Sequence, residues 1–361
     1  MFTAVIMCQQ GIPFKLSPAR TQIIEELNKR DVKVFAFFPG IVSEKTIRTK
    51  GNRVINTKAM KSMAIRKRIR KIDPDIVICT TIEDVQICYP LPYIMKRTDF
   101  YYYNLEIYVR SRRWENRNFL YKCANKIDYA KNKMREIIYI KGCTAMVIQD
   151  KLRKTVSKRY GIAHPVTWLI PNSYSLGCNK CEVPHKNGVI YSGLMSNDVL
   201  EAFVKQASCI KDFQLTMSGW DCSELERLKE NPNIIVMQQQ LSEDDYTRFL
   251  SAYDIALIWY ESREDANIRN IGLSSGKFFK HLSLGQPVIV NDAPGLAEEI
   301  RKYKLGVVIN GLNELADAVK TIYANYDFYV KNIERVYKAK YDFRKVSKQF
   351  FDTIVDDAQR E

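Results

Sequence analysis

The residues with the clearest chemical potential lie between positions 272 and 292, where serines, a glycine and a lysine precede a helical pattern. Ser274 and Ser275 are of a type that begins helices, and apolar residues recur four apart after them. The first N–H groups of a helix lack carbonyl partners and its dipole is positive there, so Ser274, Ser275 and Gly276 can hold a phosphate. Lys277 adds a full positive charge. The alternative is a plain helix with a serine cap and a solvated lysine.

A second candidate is a carboxylate beyond another predicted strand. The aromatic run 101–103 is followed by Asn104 and, two residues later, by Glu106. Ligands of α/β proteins collect outside the carboxyl ends of the strands, so Glu106 is the best acidic candidate for a cleft. It can act there as a general base or accept a hydrogen bond, whereas an ordinary surface glutamate is the alternative.

The elements that must position these residues alternate between apolar runs and helical patterns, which indicates α/β layers with parallel sheets. A chain of 361 residues exceeds the usual size of one core, so we expect two domains. A stretch rich in Pro, Gly, Asn and Ser predicts a linker at 172–187 between a first domain, 1–171, and a second, 188–343. The predicted elements include strands 99–103 and 143–148, the latter closing the first domain, and helices 84–96 and 344–358, the latter crossing back to the first domain.

The charge is unevenly distributed along the chain. Residues 1–175 hold 33 Lys and Arg against 14 Asp and Glu, a net +19, while residues 176–361 hold 23 against 27, a net −4. This asymmetry indicates a polyanionic partner for the first half, and the helix with basic residues between 61 and 71 suits anionic lipid headgroups. A solvated basic surface is the alternative. Because no zinc finger, RNP-like aromatic motif or helix-turn-helix accompanies the charge, we expect no nucleic acid partner.

Nine cysteines scattered mostly through apolar segments fit a reducing compartment better than a disulfide framework. Cys178, Cys181 and His185 resemble half of a zinc site, but no second pair follows at finger-like spacing, so we expect no metal. No run of eighteen apolar residues occurs, and residues 1–8 are more typical of a first strand than of a signal peptide. We therefore expect a cytoplasmic protein, peripheral on the inner face of the plasma membrane if its basic half binds lipid.

The stretch 272–292, together with 293–300, 306–308 and the phrase at 166–173, resembles the GT-B glycosyltransferases, and in particular the bacterial retaining enzymes. The resemblance implies two Rossmann-like domains with parallel sheets facing a central cleft. It also implies that the diphosphate of a nucleotide sugar lies at the N-terminus of the helix that begins near Ser275.

The same resemblance extends to residues in other loops. It implies that Gly11, after the first strand, lets the backbone approach the transferred sugar, and that Gly193 lies next to the donor phosphates. Gln240 falls where related proteins contact the nucleotide base, although exposed glutamines are common. Arg20, one turn inside the next predicted helix, can point at the same phosphates or bind the acceptor, and a lone surface arginine is the alternative. Glu106 would deprotonate the acceptor hydroxyl in an inverting enzyme and hydrogen-bond the acceptor in a retaining one.

The chain departs from the family pattern at the donor site. The positions of the family's two glutamates hold Gly272 and Lys280, and lysine cannot accept a hydrogen bond from a ribose hydroxyl. The usual arginine after the glycine at 193 is also absent, so Lys277 and Lys280 are its basic replacements. Donor specificity therefore cannot be carried over from the family.

The resemblance and the charge predict a transferase that moves a sugar from a nucleoside diphosphate, UDP first, to a glycan or lipid-linked acceptor in bacterial surface polysaccharide assembly. We expect no cofactor, a metal-independent reaction with Gly193, Ser274, Ser275 and Lys277 stabilising the leaving diphosphate, and retention rather than inversion. Two alternatives remain: a nucleotide-sugar 2-epimerase, and a catalytically silent GT-B subunit that binds a partner enzyme.

Overall fold

The chain divides into two compact units. A computed structural model describes residues 2–9, 18–40, 52–108, 118–175, 188–193, 197–219, 225–238, 241–261 and 265–358. The first unit comprises Met1–Pro171 and Phe343–Glu361, and the second comprises Asn172–Asp342.

Seven parallel strands form the sheet of the first unit, in the order β3-β2-β1-β4-β5-β6-β7. They are β1 (Thr3–Met7), β2 (Lys33–Phe38), β3 (Arg53–Asn56), β4 (Ile76–Cys79), β5 (Asp99–Tyr103), β6 (Ala145–Ile148) and β7 (Thr167–Leu169). The central strand β4 is a run of apolar residues buried at every position, because a parallel sheet is covered on both faces. Strand 99–103 is confirmed, but 143–148 is not the last strand of this unit, since β7 pairs with β6.

Helices cover both faces of this sheet. They are α1 (Pro18–Asn28), α2 (Ser62–Ile72), α3 (Ile82–Cys88), α4 (Leu91–Ile94), α5 (Phe119–Gly142), α6 (Lys151–Arg159) and, from the end of the chain, α15 (Phe343–Ala358). One face packs on α1 and α15, and the other on α2 to α5. The predicted helix 84–96 is wrong in extent: the chain forms α3 and α4 there, separated at Pro90, which cannot supply the N–H group of a continuous helix.

The terminal helix α15 packs against α1 within the first unit. Arg30 Nη2 lies 2.7 Å from Asp352 Oδ1. Phe350 makes edge-to-face contacts with Tyr101, Tyr103 and Trp168, at centroid distances of 5.9, 6.3 and 5.8 Å. The end of the chain therefore completes the core beneath the sheet of the first unit.

Six parallel strands form the second sheet, in the order β10-β9-β8-β11-β12-β13. They are β8 (Val189–Ser192), β9 (Leu215–Gly219), β10 (Ile234–Gln238), β11 (Ile255–Ile258), β12 (Val288–Asn291) and β13 (Gly306–Ile309). Its helices are α7 (Asn197–Gln206), α8 (Leu225–Leu228), α9 (Glu243–Ser251), α10 (Ala266–Arg269), α11 (Gly276–Ser283), α12 (Leu296–Tyr303), α13 (Leu315–Ala324) and α14 (Tyr326–Val336). The predicted class, α/β with two Rossmann-like parallel sheets, is confirmed.

Candidate functional site

The N-terminus of α11 is built as the sequence predicts. Ser275 is the N-cap, with φ −67° and ψ 97°, and its Oγ accepts a hydrogen bond from the Phe278 N–H at 3.1 Å. The same Oγ lies 2.6 Å from the hydroxyl of Tyr260. Because both interactions hold the buried Ser275 side chain, the first turn of the helix is fixed in place. Gly276 and Lys277 are its first two residues, whose N–H groups point out of the N-terminus.

A 3-10 turn, Gly272–Ser274, leads into this helix and is fastened at both ends. Gly272 adopts φ +47°, in the left-handed region that glycine tolerates best. The Asn172 backbone N–H donates to the Leu273 carbonyl at 3.0 Å, and its Nδ2 donates to the Ser274 carbonyl at 3.1 Å. The Ser274 hydroxyl donates to the Ile271 carbonyl at 2.6 Å, so in this arrangement its proton is engaged within the turn.

Lys277 and Gly193 are brought together. Gly193 follows β8 with φ +102°, and a Cβ added there would come within 2.8 Å of Lys277 Cε. Position 193 therefore favours glycine for its backbone conformation, and any larger residue there would also displace the end of the Lys277 side chain. From the sequence, only the family resemblance assigned these two residues to one site. In the structure they lie side by side.

The Lys277 ammonium is surrounded by aromatic side chains. Its Nζ donates to the Tyr191 hydroxyl at 3.2 Å and lies 4.7 Å from the Tyr191 ring centroid and 5.5 Å from that of Tyr260. Burial lowers the pKa of Lys277. Burial also raises the pKa of Tyr260, and the nearby positive charge of Lys277 opposes that rise. Rings that face a cation stabilise its charge without neutralising it, so Lys277 keeps its attraction for an anion.

A buried chain of hydrogen bonds runs from Gln286 through His281 to Ser192, the residue before Gly193. Gln286 Nε2 donates to the carbonyls of Leu250 and Tyr253 at 2.6 and 2.5 Å, so its Oε1 is left to accept from His281 Nδ1 at 2.6 Å. His281 Nε2 is then the acceptor for the Ser192 hydroxyl, 2.9 Å away. Burial lowers the pKa of His281 to about 4, which keeps the ring neutral.

This role of His281 was not predicted from the sequence. The only available signal was its position on α11, one turn after the lysine. Its contact with Ser192 depends on how α11 packs against β8, which no local pattern encodes.

Lys280 has a different environment from Lys277, although both belong to α11. Its Nζ lies 2.9 Å from Glu243 Oε1, donates to Thr247 Oγ1 at 2.6 Å and sits 5.1 Å from the Tyr174 ring centroid. The residue is 5% exposed. These contacts fasten α11 to α9 and engage the ammonium, which favours a structural role for Lys280 over donor binding.

The carboxyl edge of the first sheet holds a hydrogen-bonded cluster around Asp84. One carboxylate oxygen accepts from the Thr80 N–H and hydroxyl, both at 2.8 Å, and the other accepts from the Gln9 N–H at 2.8 Å. Arg20, which is 4% exposed, donates through Nε to Thr80 Oγ1 at 3.0 Å. The predicted phosphate ligand Arg20 is therefore buried and bonded to Thr80, directly after β4, while Asp84 joins the segments that follow β1 and β4.

Asn104 and Glu106 follow β5 at the same edge. The side-chain atoms Nδ2 and Oδ1 of Asn104 are both buried, and neither has a hydrogen-bond partner. A buried amide without partners is costly, so this position calls for an explanation such as a ligand or a bound water. Glu106 is exposed, as a residue that meets an acceptor must be.

Several predicted positions lie outside the described residues. These are Gly11, Gln240 and the cysteine-containing stretch 176–187. Among the residues that are described, no group of three or more His, Cys, Asp or Glu side chains is arranged to hold a metal ion.

Residues 189–343, which make up nearly all of the second unit, match the family model described as glucosyltransferase 3-like, C-terminal domain. No curated protein matches the chain in sequence.

Solved structures extend the likeness to the whole chain. The sucrose-phosphate synthase of Thermosynechococcus elongatus superimposes with a TM-score of 0.74 at 14% identity, covering 100% of both chains. Anabaena HepE in complex with UDP gives 0.68 at 13% identity, covering 99% of this chain and 100% of that one. WaaG, a glycosyltransferase involved in lipopolysaccharide biosynthesis, gives 0.67 at 15% identity, covering 98% and 99%. The chain therefore has the GT-B fold, and its residues 189–343 are similar to the C-terminal domain of glucosyltransferase 3-like proteins.

Proposed function

We propose that this protein transfers a sugar from a nucleoside diphosphate, UDP first, to a glycan or lipid-linked acceptor. The observation that carries the proposal is the pairing of Lys277, at the first turn of α11, with the positive-φ Gly193. Two comparisons point the same way: the family model is named for a glucosyltransferase, and HepE is described in complex with UDP and with UDP-glucose. Surface polysaccharide assembly is the pathway class we propose.

The proposed donor site acts on the leaving group. When the bond between the sugar carbon and the diphosphate oxygen breaks, negative charge develops on the diphosphate. The N–H groups and dipole of α11 and the charge of Lys277 then stabilise it, and preorganised groups of this kind supply a large part of enzymatic rate enhancement. We propose that these groups do so without a metal ion, and that no further cofactor takes part.

The proposed acceptor side lies at the carboxyl edge of the first sheet. There the exposed Glu106 would hydrogen-bond the acceptor hydroxyl, and we favour retention at the sugar carbon. In this proposal the Asp84 cluster, with Arg20, acts as a support that keeps the strand ends rigid and does not touch substrate.

Calorimetric titration of the purified protein with UDP, GDP, CMP and dTDP tests the donor site. We expect binding of one nucleotide, UDP first, that is lost in Lys277→Ala and kept in the control Lys302→Ala, an exposed lysine on α12. Absence of binding to every nucleotide would overturn the proposal and favour the catalytically silent subunit.

Product analysis separates the transferase from the epimerase. The protein is incubated with UDP-sugars alone and then with candidate glycan acceptors. We expect no new sugar nucleotide from donor alone and a glycosylated product only with acceptor present. Conversion of the donor without any acceptor would identify an epimerase and overturn the transferase.

A further inference from the structure

The first two thirds of α5 expose an apolar stripe. Leu120, Ile127 and Met134 recur seven residues apart, on one side of the helix, and between 64% and 77% of each is exposed. Cys123 and Ala130 fall between them at the same spacing. Large apolar side chains that are exposed along one side of a helix can mark an interaction site.

A neighbouring helix, α2, exposes basic residues. Ile65 and Ile69 are buried, whereas Lys67, Arg68 and Lys71 are exposed. Within residues 61–72 there is no Asp or Glu to offset them. This helix therefore offers concentrated positive charge above a thin apolar stripe that anchors it to the core.

Both helices lie on the same face of the first sheet. The buried isoleucines of α2 belong to one core cluster with Tyr139 and Ile140 of α5, and α3 packs against both helices. Lys126 and Lys131 are exposed on α5 itself, beside the apolar stripe. Apolar and cationic groups are thus presented from one side of the unit.

We propose that this surface, the exposed residues of α2 with the stripe of α5, docks on an anionic lipid bilayer. Apolar side chains enter the headgroup region while basic ones pair with lipid phosphates, as in interfacial helices. A second copy of this chain is a poorer occupant, because it would bring the same positive charge to the contact. Within the described ranges no helix has the length and apolar character needed to cross a bilayer, so docking occurs at the surface. This inference does not depend on the sugar-transfer reaction.

Vesicle co-sedimentation tests the charge component. The full chain is mixed with vesicles of phosphatidylcholine alone, or with about one third phosphatidylglycerol, at about 0.1 M and about 1 M salt. We expect binding only to the anionic vesicles at low salt. The variant Lys67→Gln/Arg68→Gln/Lys71→Gln should bind about 100-fold more weakly, at about fivefold per residue. The control Lys302→Gln/Lys331→Gln/Lys338→Gln changes three exposed lysines of the second unit and should bind as wild type.

The apolar component has its own variant. Leu120→Ser/Ile127→Ser/Met134→Ser should also lose anionic vesicle binding, while Phe328→Ser, which changes an exposed apolar residue of the second unit, should not. Thermal unfolding followed by circular dichroism verifies that each variant is folded. Equal losses in variant and control, or binding to vesicles without anionic lipid, would overturn the proposal. So would a concentration-dependent dimer that the stripe variant abolishes in a protein that ignores vesicles.

Discussion

Two adjacent turns of α11 each hold a lysine, and the difference between them separates ligand chemistry from structural chemistry. Lys277 is half-buried and contacts two aromatic rings and a tyrosine hydroxyl. Lys280, three residues on, is buried against the carboxylate of Glu243 and the hydroxyl of Thr247. In the first arrangement aromatic rings stabilise the ammonium, and in the second a carboxylate pairs with it.

The contrast between the two lysines also bears on position 280, where Lys280 replaces one of the two glutamates of the family pattern. A lysine at position 280 is hard to reconcile with a ribose-binding role, and its contacts show what it does instead. It joins α11 to α9, the helix that follows the segment predicted to meet the base. Helix α11 is therefore fastened to α9 at its second turn, next to the first turn that we propose as the anion site.

The largest expected effect is a difference in UDP affinity between variants of the two lysines. Lys277→Ala should weaken UDP binding about 100-fold, since a charge-assisted contact to phosphate is lost. Lys280→Ala should change it less than about threefold, because that ammonium is engaged elsewhere. Calorimetry on the two variants measures both. Equal losses would show that Lys280 leaves Glu243 and joins the donor site when nucleotide binds.

Gly193→Ala tests whether the lysine stem explains the glycine. The new Cβ would displace Lys277, so UDP affinity should fall about tenfold, and the strained φ should lower the free energy of unfolding by about 1–3 kcal/mol. Gly285→Ala is the matched control, since Gly285 has φ +78° but nothing lies within 4 Å of its added Cβ. It should share the stability loss and leave UDP affinity unchanged. Equal affinity losses in both would make backbone strain the cause.

The sequence was sufficient for the helix start at Ser275, because caps, apolar spacing and the glycine at 285 are local signals. It also placed most strands, since buried parallel strands are runs of apolar residues such as Ile76–Cys79. It failed at β7, which has only three residues and an exposed final position, and therefore lacks that apolar signature.

The candidate site was less predictable than the fold. Lys277 and Lys280 have the same residue type and belong to one helix, so nothing local separates an anion ligand from an ion-pair partner. The distinction comes from Tyr191 on β8 and Glu243 on α9, which are distant in sequence. Arg20 gives the same lesson, because its partner Thr80 is sixty residues away.

The buried His281 makes the stability of the protein depend on pH. Its folded pKa of about 4 lies below the ordinary 6.5, so the unfolded chain binds more protons between these values. Stability from this residue is present above pH 6.5 and is lost as pH falls, by about 2 kcal/mol between pH 7 and pH 5. Its ring faces Ser192 and Gln286, and the charges of Lys280 and Lys277 also oppose protonation.

Urea unfolding at several pH values measures this slope. His281→Asn should be less stable at pH 7 but should lose less stability on acidification than wild type. An unchanged slope in His281→Asn would mean that other groups govern the acid response.

The smallest expected effect is on stability, and it tests the structural role of Lys280. Lys280→Met keeps the aliphatic stem and removes the ammonium, so it should lower the free energy of unfolding by only about 1 kcal/mol. The loss is small because the Glu243 side chain is 39% exposed and regains water once its partner is gone. UDP affinity should stay within about twofold of wild type. The double variant Lys280→Met/Glu243→Gln should recover part of the stability, because removing the carboxylate leaves no unpaired charge. No recovery would indicate that Thr247 or the ring of Tyr174, and not the carboxylate, is the partner that stabilises the lysine.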